Sequence, residues 1–273
     1  MSNTTHNGCA SWEALDEAAA TWRYQPATDA LQGQTILVTG ASAGIGACLA
    51  KTSAIFGANV VLLGRRREKL DTVFDWIEAH TDTLPVIVPA DLEHLTGEAA
   101  EQLAHSIRET YGRLDGLIHN ASLLGAKTPL AHYPAQEWQR VFQVNIHAPF
   151  ILTQALFALL DEADRASIIN ISSSVGREGR AYWGAYSASK FALEGFSQIL
   201  ADETEQAGRI QVFSLNPGAT RTAMRAAAYP TEDPQTVAPP EAHMDLLLYL
   251  LSARGQPGYP ATGTLLDARD WTP

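Results

Sequence analysis

The stretch Ile36-Leu-Val-Thr-Gly-Ala-Ser-Ala-Gly-Ile-Gly46 constrains this chain more than any other. An apolar, β-prone run enters Gly40, Gly44 and Gly46 and then an Ala/Leu-rich segment of helical character. A strand turning through glycines into a helix aims backbone N–H groups at one point, and the missing side chains let a bound group come close. The pattern predicts a dinucleotide pyrophosphate held at Gly40, Ser42, Gly44, Ile45 and Gly46. A tight strand-to-helix turn without ligand shares this local pattern, so its place in the whole chain has to decide.

From Ile36 onward, short apolar runs alternate with longer amphipathic stretches, the signature of successive βα units around a parallel sheet. Strands are predicted at Ile36 to Thr39, Asn59 to Leu63, Val86 to Pro89, Gly116 to His119, Ser167 to Ile171, Gln211 to Leu215 and Thr264 to Leu266. Helices are predicted near Ile45 to Phe56, Glu68 to His80, Gly97 to Tyr111, Gln136 to Leu160, Gly184 to Gln206 and Glu241 to Leu251, with Pro149 kinking or dividing the fourth. The expected fold is α/β: a Rossmann-type, doubly wound, mainly seven-stranded parallel sheet with helices on both faces.

Residues 33–273 are expected to form one dinucleotide-binding domain, and 1–32 an arm whose Trp12, Trp22 and Tyr24 suggest a helix docked on the body. The segment 221–240, with four prolines and an Ala226-Ala-Ala228 run, reads as a candidate substrate lid. An apolar share of 46% and a charged share of 18% support a sizeable core and exclude a disordered chain. The net charge of −11 argues against nucleic acid and anionic membranes as partners. Met1 to Gln34 holds no apolar signal core, and no uninterrupted apolar run approaches ~18 residues, so no membrane span is expected. Cys9 and Cys48 are the two cysteines, which fits reduced thiols and a cytoplasmic location. The eight histidines form no metal-ligand spacing, and no metal is expected.

Tyr186 and Lys190 lie four residues apart, so a helix stacks a phenol beside an ammonium. Bringing a tyrosine from a pKa of about 10 to about 7 needs ~4 kcal/mol of selective phenolate stabilisation, and a neighbouring cation is expected to supply part of it. Ser173 lies thirteen positions ahead of Tyr186, where a β-rich run ends in hydroxyls. Strand ends are where α/β proteins place chemistry.

After the second strand the chain reads Leu62-Leu-Gly-Arg-Arg-Arg67, with cations where an acid would bind a ribose 2′-hydroxyl. That predicts NADP(H), with Arg65 nearest the strand as the 2′-phosphate partner; three arginines opening a solvated helix would look alike. Asp91 either accepts from the adenine amino group or starts a turn. Asn120, followed by small residues, is placed beside the cofactor. Pro217, Gly218 and Thr220 close over its nicotinamide end, or simply break the chain.

Taken together, Thr39-Gly-x-x-x-Gly-Ile-Gly46, Asp91, Asn120-Ala121, Asn145, Ser173, Tyr186-x-x-x-Lys190 and Pro217-Gly218 resemble the short-chain dehydrogenase/reductase family over about Leu31 to Asp267. Segments 172–185 and 216–225 look like its YciK-type bacterial oxidoreductases. The resemblance implies hydride transfer between nicotinamide and a small-molecule carbonyl or alcohol, with Tyr186 moving the oxygen-bound proton. Lys190 would then lower the tyrosine pKa and bind the nicotinamide ribose, Ser173 would bond the reacting oxygen, and Asn145 would support a relay water or else only cap or kink its helix.

The family often carries an asparagine and a glycine where this chain has His119 and Ser122, which touches substrate shape more than chemistry. Phe191, Phe196, Ile199 and Leu200 fit either core packing or the contact of a homo-oligomer, dimer or tetramer. Trp183 fits a substrate pocket or a subunit contact equally. Two other functions stay open: an NADP(H)-sensing binding protein with little turnover, and an enzyme of the same fold that dehydrates or epimerises.

Overall fold

The computed structural model describes residues 12–273. Cys9 and the rest of residues 1–11 lie outside them. Strands β1 (Thr35–Thr39), β2 (Asn59–Gly64), β3 (Val86–Pro89), β4 (Gly116–His119), β5 (Ala166–Ile171), β6 (Ile210–Asn216) and β7 (Leu265–Asp267) form one all-parallel sheet in the order β3-β2-β1-β4-β5-β6-β7. β1 and β5 are buried along their whole length, as expected of strands covered on both faces.

The helices are α1 (Trp12–Ala19), α2 (Gly44–Ile55), α3 (Arg67–His80), α4 (Gly97–Tyr111), α5 (Ala135–Phe142), α6 (Ala148–Asp161), α7 (Gly184–Glu205), α8 (Ala223–Ala228) and α9 (Met244–Ser252). Alternate strand residues serve opposite faces. Ile36 and Val38 pack with α2, α3 and α9, whereas Leu37 packs with α4, α6 and α7. Thr96 caps α4 by accepting from Ala99 N, and Gly112, at φ 74°, ends it.

The fourth predicted helix is interrupted, but ahead of Pro149. Gln143–His147 form a π turn between α5 and α6, with Ala148 N–H donating to the Gln143 carbonyl. Pro149 has no N–H to return to the Asn145 carbonyl, so an ordinary α ladder cannot run through this turn. The rod Ala135–Asp161 is apolar and long enough to cross a membrane by composition and length. Half of its most apolar window is buried inside the fold, where α6 lies against α4. Leu200 is core and Phe196 partly so, while Phe191 and Ile199 on α7 and Phe150 and Phe157 on α6 are exposed.

The arm packs on the body. Leu15 and Trp22 are buried, and Trp22 Nε1 donates to the Glu241 carbonyl at 2.9 Å. Arg23 donates from its backbone to Asp245 Oδ2 (3.0 Å) and from its guanidinium to the carbonyls of Ala268 (2.8 Å) and Trp271. Tyr24 meets Tyr249 edge to face.

Candidate active site

The strand order turns back on itself between β1 and β4, and a cleft opens at the carboxyl ends of the strands there. Gly40, Ser42, Gly44 and Ile45 line one end of it; Ser173, Tyr186 and Lys190 line it further along. Gly40 takes φ 69°, and Gly46 is packed so closely that a Cβ would lie 2.5 Å from Asn120 Nδ2 and from the Gly40 carbonyl. α2 starts from Ala43 with no side chain capping it, which leaves its first N–H groups for an anion. Thr39 Oγ1 accepts from both Asn120 N and Ala121 N (3.0 Å each), and Asn120 Nδ2 donates to the Thr39 carbonyl at 2.9 Å. Asn120 therefore braces the glycine turn. The turn, the bare helix end and the open cleft fit a dinucleotide pyrophosphate.

Arg65 and Arg66 line the cleft beyond β2. Arg65 is well exposed and reaches Glu93 at 3.4 Å. Glu93 is held below its ordinary pKa by its hydrogen bond to Arg140, Arg65 adding its charge. Arg67, by contrast, pairs with Asp71 on its own helix. Asp91 lines the cleft and accepts from Glu93 N at 3.1 Å, the bond of a residue that starts a turn.

Tyr186 and Lys190 sit on the first turns of α7 and are buried; Ser173, after β5, hydrogen-bonds the Tyr186 phenol. Lys190 Nζ lies 5.7 Å from the Tyr186 ring centroid and donates to the Ile171 carbonyl at 2.6 Å. The electrostatics differ from the expectation. Burial pushes Tyr186 up to about 12 against the pull of the Ser173 bond, and burial brings Lys190 down to about 8 against the charge of Glu194. Desolvation disfavours the charged form of both groups, and one donor of the ammonium is taken by the Ile171 carbonyl.

Asn145 is buried in the π turn with its amide engaged. Oδ1 accepts from Leu123 N at 2.8 Å, and Nδ2 donates to the Leu123 carbonyl (2.9 Å) and to Ser189 Oγ (3.0 Å). Its side chain thus fixes the loop after β4 to α7 instead of facing the phenol. Pro217, Gly218 and Thr220 line the cleft, but the Thr220 hydroxyl meets His243 Nε2 at 3.0 Å.

Several residues of the site escaped the sequence reading. Thr222 caps α8, and its methyl lies 3.1 Å from where a Gly44 Cβ would stand. Asn216 accepts from Gly218 N and donates to Asp267 Oδ2 at 2.7 Å, bracing the Pro217-Gly218 turn. Met224 joins Leu124, Trp183, Ala228 and Tyr229 in an apolar wall beside Tyr186. A threonine opening an alanine-rich run was the readable signal for the first. Of the two family departures, Ser122 lines the cleft with its Oγ buried and unpartnered. His119 is buried against Thr153 Oγ1 at 2.9 Å, and burial lowers its pKa to about 3.

Residues 34–233 match the short chain dehydrogenase family. The chain belongs to that family. It is 51% identical over 246 residues to the oxidoreductase YciK of Escherichia coli K12, covering 90% of this chain and 96% of the relative. A short chain dehydrogenase from Shigella flexneri 2a, solved in complex with NADP, superposes with a TM-score of 0.83 at 49% identity, over 89% of this chain and all of that one. One from E. coli CFT073, complexed with NADPH, gives 0.83 at 50% identity with the same coverage. This short-chain dehydrogenase thus has a family fold whose glycine turn, serine, tyrosine and lysine share one cleft.

Proposed function

We propose that the chain is an NADP(H)-dependent oxidoreductase acting on a carbonyl or alcohol, with Tyr186 as its general acid/base. The carrying observation is that Ser173, Tyr186 and Lys190 converge in the cleft that begins at the glycine turn. Gly40, Ser42, Gly44, Ile45 and Gly46 with the α2 N-terminus would hold the pyrophosphate, and Arg65 the 2′-phosphate. Asp91 would take the adenine end; Asn120, Pro217, Gly218 and Thr220 would flank the rest. The NADP and NADPH bound to the two relatives support this choice of cofactor. When bound, the nicotinamide supplies or accepts the hydride.

Tyr186 gives its proton to the substrate oxygen in reduction and takes it back in oxidation, while Ser173 steadies that oxygen with a hydrogen bond. Lys190 binds the nicotinamide ribose and carries the charge that stabilises the phenolate. Asn145 holds the loop and helix around them.

Tyr186→Phe tests the assignment. Turnover of NADPH with a carbonyl panel falls at least ~100-fold, and a variant near wild-type kcat refutes the proton-transfer role. The alternative is an NADP(H)-sensing protein with little turnover. NADPH-dependent partner binding without turnover would establish it. We read the chain as a single domain with an N-terminal arm and a lid over 221–240. It is a cytoplasmic homo-oligomer in this reading, paired through the exposed Phe150, Phe157, Phe191 and Ile199 on α6 and α7.

A further inference from the structure

A carboxylate stands beside the arginine assigned to the 2′-phosphate, and its charge opposes a phosphate. Glu93, in the loop after β3, lines the cleft together with Arg65. Its Oε1 lies 3.4 Å from Arg65 Nη1. A phosphate bonded to the other side of that guanidinium would stand within about 8 Å of the carboxylate, a separation at which salt only partly screens like charges. An unrestrained Glu93 would therefore both occupy Arg65 and repel the group that distinguishes NADPH from NADH.

Glu93 is restrained. Arg140, on α5 and outside the cleft, donates Nε to Oε2 at 2.9 Å and Nη2 to the same Oε1 at 2.6 Å, while its Nη1 donates to Glu137 at 2.8 Å. The two contacts on Glu93 differ in kind. Arg140 makes a parallel pair of short charge-assisted bonds, whereas Arg65, with 57% of its side chain exposed and one contact at 3.4 Å, is weakly held. The Arg140 bond also keeps the Glu93 carboxyl below its ordinary pKa, so the charge to be offset is present at neutral pH.

We propose that Arg140 is a positioning residue for cofactor choice: by holding Glu93 in its fork, it leaves Arg65 free for the 2′-phosphate and offsets the carboxylate beside it. This rests on Arg65 as the phosphate's partner, as argued under Proposed function.

The test measures dissociation constants of NADPH and NADH at low salt from reduced-nicotinamide fluorescence. Arg140→Gln is expected to raise that of NADPH ~5-fold or more and that of NADH less than ~2-fold, because only the 2′-phosphate meets the released carboxylate. Adding Glu93→Gln to Arg140→Gln is expected to bring NADPH binding back to within ~2-fold of wild type. Glu93→Gln alone is expected to bind NADPH no more weakly than wild type does.

A mere tether between α5 and the loop after β3 would behave otherwise. Arg140→Gln would then weaken both dinucleotides alike, and Glu93→Gln would not repair the loss. Either result overturns the proposal, as does an unchanged NADPH constant in Arg140→Gln. Weaker NADPH binding in Glu93→Gln alone overturns it too, by making the carboxylate an anchor for Arg65.

Arg65→Ala separates this from the reading on which it rests. If that variant treats the two dinucleotides alike while the Arg140 and Glu93 variants behave as expected, Arg65 loses its assignment and the control of the Glu93 charge stands. If Arg65→Ala is selective and Arg140→Gln is not, the role of Arg140 falls alone.

Discussion

Lys190 Nζ donates to the Ile171 carbonyl at 2.6 Å, tying α7 to the last residue of β5. The bond explains how a lysine is accommodated among buried groups, one helical turn after the Tyr186 phenol. It also leaves a charge in a site that disfavours charge, and this has a measurable signature.

The Lys190 pKa is depressed to about 8 from 10.5, so its neutral form is favoured in the folded state. Above the unfolded value the lysine is neutral in both states and burial is not penalised. As pH falls toward about 8, the unfolded chain takes up the proton first and the folded state loses relative stability. Wild type should therefore lose ~2 kcal/mol relative to Lys190→Met between about pH 10 and about pH 8, read from urea unfolding at each pH. Below that window the gap stays flat. A constant difference across it would show that the amine is not desolvated as described.

Arg65 should discriminate between the two dinucleotides. Arg65→Ala is expected to raise the NADPH dissociation constant ~10-fold or more and to move that of NADH about 2-fold or less, because only the 2′-phosphate loses a charge-assisted partner. Titration of reduced-nicotinamide fluorescence reads both. Parallel losses would place the arginine on the solvated start of α3 with no part in selection.

Gly46 tests the packing of the turn. An alanine there would put Cβ 2.5 Å from the Asn120 amide and from the Gly40 carbonyl, so the strand–helix turn has to open. Gly46→Ala should cost ~1–3 kcal/mol and weaken NADPH binding. Gly97→Ala at the start of α4 meets nothing within 4 Å and serves as the control, neutral or slightly stabilising. Thermal melts with and without NADPH measure both variants. Equal behaviour would mean that the turn tolerates a side chain.

The parts of this architecture written in local pattern were legible from the sequence. Val86–Pro89, Gly97–Tyr111 and Gly116–His119 fall where the alternation of apolar runs and amphipathic stretches put them. α8 was hidden because prolines at 230, 234, 239 and 240 dominate the reading of a segment that Thr222 and three alanines make helical. The i, i+4 placement of Tyr186 and Lys190 was equally readable. Their electrostatics were not, because the sign of each shift depends on burial beneath elements distant in sequence. Asn145 shows the same divide: its place in the motif order was legible, whereas its commitment to Leu123 and Ser189 depends on a π turn no periodicity announces.

The grip of Arg23 on Ala268, Trp271 and Asp245 fastens the segment before β1 to the one after β7. Asp267, next along, holds Asn216 and with it the loop that closes one side of the cleft. Trimming the first two dozen residues, or fusing a tag to the last few, thus interferes at both ends of the chain at once, and its effect is felt where the dinucleotide would lie.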